Sequence, residues 1–112
     1  MITMKGTTNI TTTKTTTIST KAEQYHKKLS SVFYALGDPT RFAIFSALLQ
    51  KDEPCVSDLA KIVDVSVPAV SQHLRILELT GLVRKERMGR MVCYQPQTSD
   101  PIVRKVIKII QN

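Results

Sequence analysis

Glycine, acid and cysteine are all scarce in this 112-residue chain, and each shortage removes a class of function. Four glycines are too few to build a phosphate-cradling loop. Nine acidic residues are scattered rather than paired, and no Ser-His-Asp spacing accompanies them, so an enzyme is not expected. Two cysteines, Cys55 and Cys93, cannot supply a disulfide scaffold, which makes a reducing, cytoplasmic setting the expectation. No apolar run approaches the roughly 18 residues of a transmembrane helix, so no membrane is expected as partner. The N-terminus also lacks the apolar core of a secretory signal.

What the chain does have is positive charge. Sixteen Lys and Arg residues leave a formal net charge of +7, which favours a polyanionic partner. The length suits one small domain with a single core.

Half of residues 1–20 are threonine, with Lys5 and Lys14 and no acid before Glu23. Such a segment buries too little apolar surface to offset its ordering entropy, and a disordered arm is expected, passive or touching phosphates through its lysines. Periodicity begins after Lys21. Tyr25, Leu29, Val32 and Leu36 repeat at helical spacing, with Phe33 widening the stripe, and predict a first helix over about 22–36. Gly37 stops it. Asp38-Pro39 restarts a second helix, with Phe42, Phe45 and Leu49 inward, flanked by Ile44 and Leu48. After a polar break, Cys55 and Val56 read either as a very short strand or as the entry to a third helix over about 57–63, with Leu59, Ile62 and Val63 inward.

The stretch Asp64–Gly81 organises the rest. Ser66 is a good N-cap, Pro68 suits a first turn, and Gly81 suits the left-handed end of a helix. Val70, Leu74 and Leu77 form a buried stripe, while Pro68, Ser71, Gln72 and Arg75 fall on or near the opposite side. An amide and a guanidinium are groups that read base edges in a major groove, although an ordinary amphipathic helix would show the same pattern. The short helix before it completes a helix-turn-helix. The period then changes to two: Leu82–Arg87 and Met91–Gln95 read as strands around a Met88-Gly89-Arg90 turn. Arg84, Lys85, Arg87 and Arg90 against Glu86 favour phosphate or minor-groove contact over a solvated face. Ser99-Asp100-Pro101 opens a last helix in which Ile102, Val103, Val106, Ile107, Ile109 and Ile110 are apolar. A helix so apolar must dock. Packing with the first helix against a second copy predicts a two-fold dimer, the alternative being closure over its own domain.

The order of elements, α-α-α-α-β-β-α, is that of a mainly α winged helix-turn-helix. Ala35-Leu36-Gly37-Asp38-Pro39-Thr40-Arg41, followed by Ile44, resembles the A-L-x-D-P-T-R-x-x-I segment of the ArsR–SmtB family of repressors. Val65–Leu74, Leu77 and Gly81-Leu82-Val83 resemble its S-x-x-x-V-S-x-H-L-x-x-L-x-x-x-G-L-V signature, and Gly89-Arg90 and Tyr94 sit where its wing has them. The resemblance spans about residues 25–112. It implies a homodimeric repressor, paired through its first and last helices, that leaves a short two-fold DNA operator on an inducing signal. It also implies that Val67, Pro68, Ser71, Gln72 and Arg75 face the groove, with Ser66 capping that helix and His73 at its boundary, either on a phosphate or bonded locally. Two bound recognition helices would lie roughly 34 Å apart.

The family's metal positions are poorly filled. Its C-V-C motif reads Cys55-Val56-Ser57-Asp58 here, with one thiol where soft metals need several. Residues 98–112, where a second family site lies, hold no histidine and one acid, Asp100. Neither a metal nor another cofactor is expected, although His26 joining Cys55 stays open. In winged-helix folds the strand before the third helix often pairs with the second wing strand, which would bring Cys55 and Cys93 into one sheet. Sequence leaves open whether they face each other as a thiol sensor or are inert. Regulation without any ligand stays open too, as does a non-specific architectural binder.

Overall fold

Caps decide where the helices of this molecule begin. The computed structural model describes residues 20–112, and the expected disordered arm lies outside them except for Thr20. That residue belongs to the domain. Its hydroxyl accepts from the Glu23 amide, while the Glu23 carboxylate accepts from the Thr20 amide, which starts α1 (Lys21–Leu36) with a reciprocal cap. Asp38 accepts from the Arg41 amide at 2.9 Å ahead of α2 (Pro39–Gln50). Ser66 does the same for Ala69 at 3.3 Å ahead of α4 (Val67–Leu79), and Asp100 for Ile102 at 2.8 Å ahead of α5 (Pro101–Gln111). Each of these three helices has proline in its first turn, where a missing amide hydrogen costs nothing.

Between α2 and α4 lies α3 (Val56–Val63), one residue longer at its start than the sequence predicts. Asp64 follows with φ 57°, a left-handed turn that lets the Val65 amide reach back to the Ala60 carbonyl and aims the chain into α4. The far end of α4 closes in the same way. Gly81, at φ 80°, donates to Glu78, and Leu82 donates to Leu77, so two terminal carbonyls gain partners while the chain turns into the hairpin.

The hairpin pairs β1 (Val83–Met88) with β2 (Met91–Pro96), antiparallel, from Val83 opposite Pro96 to Met88 opposite Met91. The connection is the two residues Gly89-Arg90, one fewer than predicted. Gly89 at φ 65° supplies the positive first angle of a II′ turn. Cys55 forms an isolated antiparallel bridge to Cys93, and the Tyr94 amide donates to the Pro54 carbonyl at 3.0 Å. The two sequence readings of Cys55 are thus both realised: it is a one-residue strand and the N-cap of α3.

One core collects Val32 and Ala35 from α1, Ile44, Phe45 and Leu48 from α2, Leu59 from α3, and Val70, Leu74 and Leu77 from α4. Leu82, Val83, Tyr94, Val103 and Val106 complete it. Several apolar residues expected inside are not. Phe42 is 41% exposed because Arg41, Ile44, Phe45 and Leu48 take the inward arc of α2. Ile62 is 54% exposed because Leu59 and Ala60 fill the inward face of the short α3. Tyr25 and Phe33 also lie outside, the inner line of α1 running through Val32 and Ala35. No helix among the described residues is long and apolar enough to cross a membrane.

Candidate nucleic-acid interface

The stripe Val70, Leu74 and Leu77 is fully buried, and this fixes which way the other face of α4 points. Ser66, Val67, Pro68, Ser71, Gln72 and Arg75 are all exposed. Val67, Ser71 and Arg75 line an open cleft of about 500 Å³, and its opposite wall is built by Lys85, Met91 and Val92 of the hairpin. The reading helix and the wing therefore converge on one concavity.

Strand alternation divides the wing cations. Lys85 and Arg87 stand opposite Tyr94 and Val92, on one face of the ribbon. Arg84 and Glu86 stand on the other, where Arg84 donates to the Gln95 side chain at 3.1 Å and lies 3.7 Å from the Glu86 carboxylate. Gln95 in turn donates to Glu86 and to Glu53, both at 3.2 Å. Arg84 is thus engaged within the wing, whereas among the described residues Arg87 and Arg90 form no ion pair. Tyr94, beneath this ribbon, has its phenol pushed above the ordinary value by burial and by Glu78, with Arg75 opposing.

His73 lies at the edge of the interface, where the structure gives it a local contact. It is half-buried, with Nδ1 3.4 Å from the guanidinium of Arg41. Arg41 is the buried charge of the core: its Nε donates to the Ala35 carbonyl at 2.7 Å, and its guanidinium lies 5.5 Å from the Tyr34 ring centroid. A guanidinium cannot accept, so Arg41 is the donor in this contact. Asp38, beside this pair, is held below its ordinary pKa chiefly by the Arg41 amide.

Lys28 is a second residue that periodicity does not reveal. Its ammonium pairs with Asp100 at 3.1 Å and donates to the Thr80 carbonyl at 3.1 Å. A cation there suits the negative end of α4, and it links that end to α1 and to the cap of α5. Burial works against the Asp100 charge, but the Ile102 amide and Lys28 outweigh it and hold the carboxyl below its ordinary value. Exposed lysines on a helix carry no mark of a long-range partner, so no sequence signal points to Lys28. Arg41 at least stands within the D-P-T-R segment.

Cys55 and Cys93 face each other, with Cα atoms 3.8 Å apart, and their sulfurs are joined as a disulfide. Cys55 therefore does not wait for His26, which is exposed on α1. The bond closes a loop of sequence separation 38 that contains α3, α4, β1 and the wing turn. Loop closure of that size stabilises a fold by about 2–4 kcal/mol. Among the described residues no group of three or more His, Cys, Asp or Glu side chains could hold a metal ion.

Residues 38–85 match the family model of bacterial regulatory proteins of the arsR family. Over 66 residues the chain is 41% identical to the cadmium resistance transcriptional regulatory protein CadC of Listeria innocua, covering 59% of this chain and 56% of that one. It is 31% identical over 85 residues to an uncharacterized HTH-type transcriptional regulator of Methanocaldococcus jannaschii, covering 76% of this chain and 93% of the relative. The crystal structure of an ArsR family transcriptional regulator superposes with a TM-score of 0.60 at 30% identity, covering 78% of this chain and 89% of that one. The chain thus spans little more than half the length of CadC but nearly the whole archaeal regulator. Together with the winged helix-turn-helix itself, these matches place the chain in the ArsR family.

Proposed function

We propose that the chain is a homodimeric, sequence-specific regulator of transcription that represses from a short two-fold DNA operator in the cytoplasm. The observation that carries this reading is the shared cleft, where Val67, Ser71 and Arg75 of α4 face Lys85 of the wing. Ser71 and Arg75 within it and Gln72 on the exposed face beside it read base edges, with Val67 and Pro68 in apolar contact and Ser66 holding the N-terminus of α4 towards the backbone. Lys85, Arg87 and Arg90 contact phosphates, and Arg84 contributes through a charge already shared with Glu86. His73 positions α4 from its inner side.

The dimer follows from the opposite surface. Phe33, Leu36, Phe42, Val106, Ile109 and Ile110 line an apolar groove between α1, α2 and α5. Phe33 and Ile109 are 65% and 76% exposed there, and a second copy covers them. No metal is assigned as inducer, and the cadmium resistance in the name of the Listeria relative is not carried over, because Cys55-Val56-Ser57 keeps only one thiol.

Selection of bound duplexes from a random pool, followed by titration of selected against random DNA, tests the reading. Specific binding exceeding random by about 10³ or more supports it. Equal affinity for all duplexes replaces it with a non-specific architectural role.

A further inference from the structure

We propose that the Cys55–Cys93 disulfide is a reversible redox clamp: closed, it holds the wing against α3 and favours DNA; opened by a dithiol, it frees the wing and weakens DNA binding. The inference rests on the DNA-binding reading above.

Position argues for it first. Cys55 caps α3, and Cys93 sits inside β2, so the bond ties the helix-turn-helix to the wing. Every residue assigned to DNA, from Ser66 to Arg90, lies within the loop it closes, whereas α1, α2 and α5 lie outside. Opening the bond therefore acts on the reading half and leaves the dimer face alone. Without it, this edge of β2 keeps the hydrogen bonds from the Tyr94 amide to Pro54 and from Gln95 to Glu53.

Chemistry argues for it second. Cys55, 8% exposed, lines the same cleft as Ser71, Arg75 and Lys85, while Cys93 is 2% exposed, so exchange begins at Cys55 from the DNA side. Arg75 and Lys85, against one acid, Glu78, leave that cleft net positive, which favours an approaching thiolate. One thiolate of the dithiol attacks the Cys55 sulfur, and Cys93 leaves and takes a proton. The second thiol then closes the reductant's own disulfide and releases Cys55. Two electrons pass from dithiol to protein. A peroxide reverses this, taking two electrons and both thiol protons to leave two waters. In a reducing compartment a disulfide is usually one that is made and broken. Because DNA covers the cleft, bound duplex should also slow reduction, as reciprocal linkage requires.

The test uses the full chain in three forms: peroxide-treated, dithiothreitol-reduced, and Cys55→Ser/Cys93→Ser. Mass spectrometry after alkylation verifies each state. The probes are a random-sequence duplex and a duplex selected by the oxidised protein. Reduction should weaken binding about tenfold. The double variant should match the reduced form and ignore dithiothreitol, and hydrogen exchange across residues 83–96 should quicken on reduction. Free thiols after peroxide treatment overturn the clamp. So does equal affinity of oxidised and reduced protein, even with a lower melting temperature, since the bond is then a passive staple. If no form binds either duplex, the DNA-binding reading falls. Unchanged wing exchange would then overturn the clamp as well, and faster exchange would support it.

Discussion

Two surfaces of this molecule are exposed, and they are unfinished in opposite ways. The cleft between α4 and the wing shows Ser71, Arg75 and Lys85 over a backbone held by caps and a covalent loop. The groove between α1, α2 and α5 shows Phe33, Phe42 and Ile109, side chains that water does not favour. The first surface is polar, with two cations against one acid, Glu78, and an anionic ligand is the partner proposed for it. The second is apolar, and a second copy of the same groove is the cover proposed for it. Exposure alone does not distinguish a binding face from an assembly face. The chemistry of what is exposed does.

The widest separation between the two faces should come from charging the apolar one. Phe33→Glu with Ile109→Glu is expected to weaken dimerisation by about 100-fold or more, read by sedimentation equilibrium, because each copy would bury an unpaired carboxylate. A dimer surviving at unchanged strength would remove this groove as the assembly face. On the other face, Gln72→Ala or Arg75→Ala should lower discrimination between selected and random duplexes by about 1–3 kcal/mol without affecting the dimer. If dimerisation weakened too, the two faces would not be independent.

Gly81→Ala sits at the hinge between helix and wing. Its φ of 80° strains any residue with a Cβ, and the Lys28 ammonium lying against it would have to move aside, so about 1–2 kcal/mol of folding stability should be lost in denaturant titration. Smaller again, Arg87→Ala or Arg90→Ala should reduce the log–log salt slope of DNA binding by about 1 while keeping the specificity ratio. A changed ratio would assign the wing a base-reading role. The least effect is acid sensitivity. Asp38 and Asp100 have folded pKa values below their unfolded ones, so their stabilisation is present above about pH 4 and is lost as the pH falls through the folded values. Asp100→Asn should flatten the acid limb of unfolding followed by circular dichroism, and an unaltered limb would refute the assignment.

Local chemistry was the legible part of this chain. Ser66, Asp38, Asp100 and Gly81 announce helix ends because each cap involves residues a few positions apart, and the structure uses all four. The stripe Val70, Leu74 and Leu77 follows from period alone, and so does the exposure of Ser71, Gln72 and Arg75 between its members. Phe42 and Ile62 lie outside although their hydrophobicity predicts burial, because a helix between several neighbours can bury only one arc. Thr20 was lost to the composition of its threonine-rich neighbours, although Glu23 completes its cap. Ties across the chain left no trace in any pattern: Lys28 to Thr80 spans 52 positions and Arg41 to His73 spans 32. The shared sheet of the cysteines followed from fold resemblance, but their facing required the register of β2.

One of those ties has a geometric consequence. Lys28 stands on α1, grips the cap of α5 and holds the last turn of α4. In a dimer built on α1 and α5, the reading helix of each half is thereby indexed to the two-fold axis by a single ammonium. If the apolar groove brings two copies together as proposed, the distance from one half-site to the next would be gauged at Lys28. Loosening it leaves the bases preferred by each helix unchanged and blurs how far apart those bases must stand.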